Sequence, residues 1–359
     1  MKKTLIALAV LAASGAAMAQ SSVTLYGVLD IGFGKVKGQQ WGMNNGEGYG
    51  GGGDGFNSTS VIGFRGTEDL GGGLKANFNL QTGGLDLSSA GTNLNFNREA
   101  WVGLEGASWG AVQFGRSSSI GAKVMGGYDF NGTSYSSAYD RAGVSSVTWY
   151  GSSRRSSQVQ YVTPNFGGFT VRAGFTTKGD NEVGSASTNA GTYGGYNATL
   201  GQAKAQYSLG ATFANGPLSV SAVAETKARD GLRTAYAVGA SYDLSVVKLA
   251  ATYNRREARG NDGWNTIANG TGQGAGGNGW TLAAVAPLGA ANVGVQYARN
   301  TGADISAVEL FANYALSKRT RLYTDFVKTF DQDSVGAVGT PAFRPSKPYA
   351  VGVGVVHTF

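Results

Sequence analysis

Residues 349–359 read Tyr-Ala-Val-Gly-Val-Gly-Val-Val-His-Thr-Phe, and they alternate one by one. Successive side chains of an extended chain point to opposite faces. Tyr349, Val351, Val353, Val355, His357 and Phe359 therefore share one face, and Ala350, Gly352, Gly354, Val356 and Thr358 share the other. The first face is mostly apolar and bulky, the second mostly small. An edge strand of a soluble sandwich alternates too, but it seldom ends on an aromatic left in water. A closed barrel in a membrane needs a final strand with an apolar face toward lipid and no unpaired edge. The rest of the sequence decides between the two.

The opposite end reads as an export signal. Lys2 and Lys3 precede an apolar run at residues 5–13 and the small-residue site Ala17-Met18-Ala19, so residues 1–19 are expected to be removed, leaving Gln20 first. That run is too short to span a bilayer, and no later stretch approaches about 18 consecutive apolar residues. Any membrane crossing must therefore be made by strands. Composition agrees: 59 Gly, 17 Tyr and 16 Phe accompany only 6 Pro and 14% charged residues, which suits short strands and open turns rather than long helices.

Several chemistries are poorly supplied. The chain has no Cys and one His, so disulfides, thiolate nucleophiles and an imidazole metal cage are unavailable, and no cofactor or metal is expected. The formal charge is +7, but Lys and Arg are dispersed over the predicted strands and loops rather than gathered in a stripe, which argues against nucleic acid.

Alternation recurs through the chain. Leu74, Ala76, Phe78 and Leu80 oppose Lys75, Asn77, Asn79 and Gln81; Tyr207, Leu209, Ala211 and Phe213 oppose Gln206, Ser208 and Thr212. The same split separates Leu218, Val220, Ala222 and Ala224 from Ser219, Ser221 and Glu225, and Leu249, Ala251 and Tyr253 from Lys248, Thr252 and Asn254. Tight turns are readable at residues 69–73, 106–109, 164–168, 215–217, 243–245, 287–290 and 316–318. Between them lie candidate outer loops at 37–57, 83–95, 117–153, 179–198, 229–232, 259–278, 301–305 and 331–347. Eight loops with seven turns between them predict an all-β, 16-stranded antiparallel transmembrane barrel filling residues 20–359 as one domain.

Residues 62–76, Ile-Gly-Phe-Arg-Gly-Thr-Glu-Asp-Leu-Gly-Gly-Gly-Leu-Lys-Ala, resemble the signature of the general porins of beta-proteobacteria. Further landmarks follow in that family's order: Val23-Thr-Leu-Tyr-Gly27 with Asp30, Val102-Gly-Leu104, Gly115-Arg116, Thr163-Pro-Asn-Phe-Gly-Gly-Phe169, Leu316-Ser-Lys-Arg-Thr320 and His357-Thr-Phe359. The resemblance implies a homotrimeric outer-membrane porin, among outer-membrane lipid and lipopolysaccharide, passing small hydrophilic solutes and ions without chemistry. It also implies that the terminal Phe359, with His357 and Val355 on the same face, helps the barrel-assembly machinery recognise the chain.

In such porins the third outer loop folds inward and narrows the channel, and the matching segment here is 117–153, far longer than most connections. It carries Asp129 and Asp140 beside Lys123 and Arg141, with Tyr128, Tyr135 and Tyr139 available to pack it. Acids on the loop facing bases on the wall would set a transverse field that selects ions by sign. Parity with Ile62 and Phe64 turns Arg65 inward, and parity with Val171 and Ala173 does the same for Arg172. Arg116, Arg154 and Arg155 flank the loop and complete the candidate wall bases. Two departures from the family pattern are Val61, where Arg is frequent, and Glu99, where a base is frequent; Trp101 shares its parity and would narrow the lumen. The resemblance favours anions, while these departures argue for weak selectivity or cation preference.

Two other functions compete with the channel. A barrel hydrolase would need an inward nucleophile beside a base, but the one His, His357, falls on the outer face. An adhesin or receptor would display loops near Trp41, Trp264 and Trp280, and no partner is legible.

Overall fold

Seven tight reversals organise the chain, and each falls where turn residues are concentrated. In the computed structural model, which describes residues 22–37, 40–43, 57–83, 85, 87, 95–131, 154–181, 204–228, 230, 233–255, 278–301, 305–330 and 349–359, these reversals join the antiparallel pairs. The wall runs β1 (Ser22–Val36), β3 (Val61–Gly71), β4 (Leu74–Gly83), β5 (Glu99–Gly106), β6 (Gly110–Ser118), β7 (Arg154–Val162), β8 (Phe169–Thr176) and β9 (Gln206–Asn215). It continues through β10 (Leu218–Glu225), β11 (Ala235–Asp243), β12 (Lys248–Arg255), β13 (Asn278–Leu288), β14 (Ala291–Asn300), β15 (Ile305–Ala315), β16 (Thr320–Phe330) and β17 (Tyr349–Thr358). A two-residue strand, β2 (Gly42–Met43), lies within the first long connection and pairs with Phe33 and Gly34. Without it, sixteen strands form the wall, as the turn count predicts.

The β3–β4 turn shows why glycine is used there. Gly71, Gly72 and Gly73 all have positive φ, at 84°, 61° and 81°, a region closed to most side chains, and the Asp69 carboxylate accepts the Gly71 N–H at 2.8 Å.

The sheet closes on itself. Val28 to Val36 of β1 pair with Thr358 to Ala350 of β17, while Ser22 to Val28 pair with Thr67 to Val61 of β3. Gly27 and Phe359 exchange two main-chain hydrogen bonds of 3.1 Å each. A Cβ at Gly27 would stand 2.4 Å from the Phe359 ring, so the terminal aromatic lies directly over a residue with no side chain. His357 sits outward beside it, exposed, its Nδ1 2.9 Å from the Thr320 hydroxyl.

Ladder parity and exposure agree on which face is which. Val23, Leu25, Phe64, Val102, Phe114, Leu209, Val238, Leu249, Leu282, Leu310 and Val353 are all exposed, and all point outward. Aromatic pairs border this apolar band. Tyr236–Tyr253 and Trp280–Tyr297 lie toward the long loops, and Phe169–Phe213 toward the short turns, an arrangement typical of a barrel crossing a bilayer. Trp280, beside the candidate loop 259–278, is part of strand β13; Trp264 lies outside the described residues.

Candidate functional site

The lumen is shaped by the segment that leaves β6. Its entry is fixed by Glu99 of β5, whose Oε1 accepts both the Ser118 N–H (3.0 Å) and the Ser118 hydroxyl (3.1 Å), and whose Oε2 accepts the Trp101 indole N–H at 2.8 Å. Ser119 then caps a single helical stretch, α1 (Ile120–Met125), by accepting the Ala122 N–H at 3.1 Å. The Gly121 N–H donates to Glu225 Oε1 of β10 at 3.1 Å, so an inward wall carboxylate receives the helix start.

This strap does not rest on a polar wall. Ile120, Val124, Met125 and Tyr128 pack on Val223, Ala235, Ala237, Ala250 and Ala283, which all face inward. The seat is made close-fitting by missing side chains. A Cβ at Gly174 would meet Ile120 at 2.9 Å, at Gly210 would meet Val124 at 2.8 Å, and at Gly239 would meet Tyr128 at 2.8 Å. A hydrophobic core of modest size thus lies inside the barrel, because a strap that excludes water needs apolar contacts.

Beyond α1 the strap continues along the inner wall. The Tyr128 hydroxyl donates to Ser221 at 2.8 Å, the Phe130 N–H to Gln296 at 3.1 Å, and the Asn131 amide to both Glu309 and Asp325 at 2.9 Å. Asp129 accepts from Gln296 at 2.8 Å. Among the described residues the strap therefore covers the inner face from β8 round to β16. Opposite it lies a recess of about 400 Å³ bordered by β1 and β3–β8, where Arg65, Asn79, Trp101, Glu105, Gln113 and Arg172 meet.

The sequence candidates separate into three groups. Arg65 and Arg172 point into the recess, Arg65 with its guanidinium 5.0 Å above the Tyr26 ring, and neither forms an ion pair with another described residue. Lys123, on the strap, donates to Gln160 at 2.6 Å and Ser117 at 3.2 Å, within the field of Glu99 and Arg172. Asp129 belongs to the far end of the strap.

A second group is corrected. Arg155 does not line the passage: it is 2% exposed, and its guanidinium pairs at 3.4 Å with the equally buried Glu225. Arg116 stands in register with outward Ala100 and donates to the Asn97 carbonyl and the Ser156 hydroxyl, off the lumen. Arg116 has the parity of outward Phe114, and the bulge opposite Gly115 and Ser117 adds a residue to β7, which leaves Arg155 inward but covered by the strap. Glu99 is an inward acid as expected, but both of its oxygens are occupied in anchoring the strap entry. Arg154 opens β7 in register with Ser118. The third group, Asp140 with Tyr135, Tyr139 and Arg141, lies outside the described residues.

Sequence reasoning missed the carboxylates that hold the strap's far end, Glu309 and Asp325, with Asp30 beside them. Their inward parity was a readable signal: three acids aimed into a lumen, Asp325 with Arg321 on the same inner face of its strand.

Burial lowers the Lys123 ammonium to about 8, with Arg172 adding repulsion and Glu99 opposing the shift. Its charge is present below that value and lost above it. Between about pH 7 and pH 9 the anion-to-cation permeability ratio is therefore expected to fall, and Lys123→Met to abolish that change. Reversal potentials in a salt gradient check this, and a wild-type ratio that stays flat over the interval would place Lys123 outside the field that ions feel.

The sequence profile of the Gram-negative porins matches residues 4–334. The chain belongs to that family. This porin is 33% identical to an outer-membrane porin protein of Bordetella pertussis and 34% identical to outer-membrane porin protein 32 of Delftia acidovorans, each alignment covering all of both chains. Over about half its length, 53% of this chain and 54% of the relative, it is 33% identical to the major outer-membrane protein P.IB of Neisseria lactamica. Among solved structures it is similar to the anion-selective porin from Comamonas acidovorans, at TM-score 0.65 and 27% identity over 95% of this chain and 100% of that one. The porin is a passive diffusion channel of the bacterial outer membrane, and its water-filled path is the lumen just described.

Proposed function

We propose that the passage weakly prefers anions. One observation carries this reading: Arg65 and Arg172 stand in the open recess without an ion-pair partner among the described residues, while the inward acids Glu99, Glu225, Glu309 and Asp325 hold the strap. Charges facing the narrowest part of a channel set its ion preference, and charges neutralised behind a strap contribute less. The related structure from Comamonas acidovorans is described as anion-selective, which supports the same sign for this chain. Glu105, also in the recess, keeps the preference small.

Reversal potential across a salt gradient tests it. Wild-type channels should reverse on the anion side, and Arg65→Gln combined with Arg172→Gln should move the value toward or past zero. A wild-type reversal on the cation side would overturn the reading.

The proposal extends to processing and assembly. Residues 1–19 act as a cleaved signal, the mature barrel works as a homotrimer, and its apolar band meets outer-membrane lipid and lipopolysaccharide. The end at Val355, His357 and Phe359 is the part recognised by the barrel-assembly machinery. It performs no catalysis: the one imidazole, His357, faces outward at the end of the closing strand, with no nucleophile's partner role open to it from the lumen.

A further inference from the structure

Above Val28, among the described residues, β1 has β17 on one side and the two-residue β2 on the other, and β3 begins at Val61. Residues 57–60 turn into the lumen, and Asn57 and Ser60 are 1% and 0% exposed. Their socket is Asp30, an inward residue of β1. Its Oδ2 accepts the N–H groups of Asn57 and Ser58, its Oδ1 accepts the Tyr323 hydroxyl at 2.8 Å, and its own N–H donates to the Ser60 hydroxyl at 3.0 Å.

The Asn57 side chain links this segment to the strap. Its Oδ1 accepts from the Arg321 guanidinium, and its Nδ2 donates to Asn131 Oδ1 at 2.8 Å and to Asp325 at 3.4 Å. Asn131 in turn is held by Glu309 and Asp325. The tip of the strap and the end of the first outer loop thus share one hydrogen-bonded knot on β1, β15 and β16. Among the described residues, 57–60 cover the inner wall between the strap's contacts on β16 and the recess bordered by β1.

We propose that residues 57–60 are a second closing element of the pore, and that Asn57 is the positioning residue that fastens the first outer loop to the strap. The strap seals the lumen from β8 to β16; this segment seals the side facing β16 and β1, confining solutes to the arginine-bearing recess. A change in the first outer loop is then transmitted to the strap through the Asn57–Asn131 amide contact as well as through the wall.

Single-channel recording on the purified porin tests this. Asn57→Ala is expected to raise unit conductance on the order of 1.2- to 1.5-fold and to increase open-channel noise, since a looser lining widens a constriction. The double variant Asn57→Ala with Asn131→Ala should exceed the larger single change by little, because both cut the same tie. The chain has no native cysteine, so Asn57→Cys with Asn131→Cys, joined through two disulfides by a short bis-methanethiosulfonate that releases methanesulfinate, should be as quiet as wild type and become noisy on reduction. Arg321→Met removes the donor to the Asn57 carbonyl while leaving the main-chain ties to Asp30, and serves if Asn57→Ala fails to fold. Wild-type conductance and noise in folded Asn57→Ala or Arg321→Met, or a bridged channel that does not change on reduction, would overturn the proposal. The unit steps of the wild type report the channel itself independently of either result.

Discussion

Excision of residues 120–129 is expected to raise single-channel conductance about twofold, because the ion path widens when the element filling one side of it is removed. The strap is a separate object inside the barrel. It rests on the wall through α1 and Tyr128, and the seat it leaves consists of Ala235, Ala237, Ala250, Ala283 and Val223 with glycines between them. Those side chains are short, so uncovering them opens space without collapsing the wall, whose own ladders are untouched. A milder variant tests the same geometry without deletion. At Gly210 even a Cβ would come within 2.8 Å of Val124 and 3.0 Å of Ile120, so Gly210→Leu should lift the strap and raise conductance in the same direction by less. Planar-bilayer recordings of both variants decide the matter. If folded, heat-modifiable protein lacking residues 120–129 conducts as wild type does, some other element limits the path.

The second large effect concerns the wall. Leu310 lies at the middle of β15, is 50% exposed, and is in register with Phe326 and Val295 on the outward face. Leu310→Arg should destabilise the barrel by about 2 to 4 kcal/mol, the usual cost of a cation at mid-bilayer on a lipid-facing strand position. Asn79→Arg places the same side chain in the lumen recess, where water solvates it, and should cost far less. Urea titration of barrels refolded in lipid vesicles measures both. Equal costs, or a greater cost at Asn79, would mean that the two faces have been exchanged.

The fold was legible because a barrel in lipid repeats one rule along every strand. Leu209 and Gln206, or Val353 and Ala350, fall on opposite faces by position alone, and tight turns separate one strand from the next. Parity also turned Arg65 and Arg172 inward correctly, since both lie on regular stretches of β3 and β8. Arg116 and Arg155 were chosen by nearness to the loop, and nearness does not settle facing: Arg116 shares the outward parity of Phe114, and Arg155 is inward but buried against Glu225. The strap's seat was visible only as interruptions. Gly210, Val223 and Ala250 break polar alternation on β9, β10 and β12, and each break alone resembles noise. Only the fold places them side by side beneath α1. The roles of Glu99 and Asn57 depend on partners far away in the chain, Ser118 in one case and Asn131 and Arg321 in the other, so composition and period could not reveal them. Charge identity was thus easier to read than charge availability.

The closing ladder has a kinetic meaning. Thr358 pairs with Val28, 330 residues earlier, whereas most other ladders join neighbours in the chain. Hairpins can form locally and quickly, but this contact carries the largest loop-closure cost among the described ladders. Until it forms, β1 and β17 each present a row of unpaired main-chain groups, the situation that invites pairing with another molecule. A chain stopped within β17 would retain nearly every local hairpin yet never lose that open edge. Its failure would appear as aggregation rather than as a smaller channel.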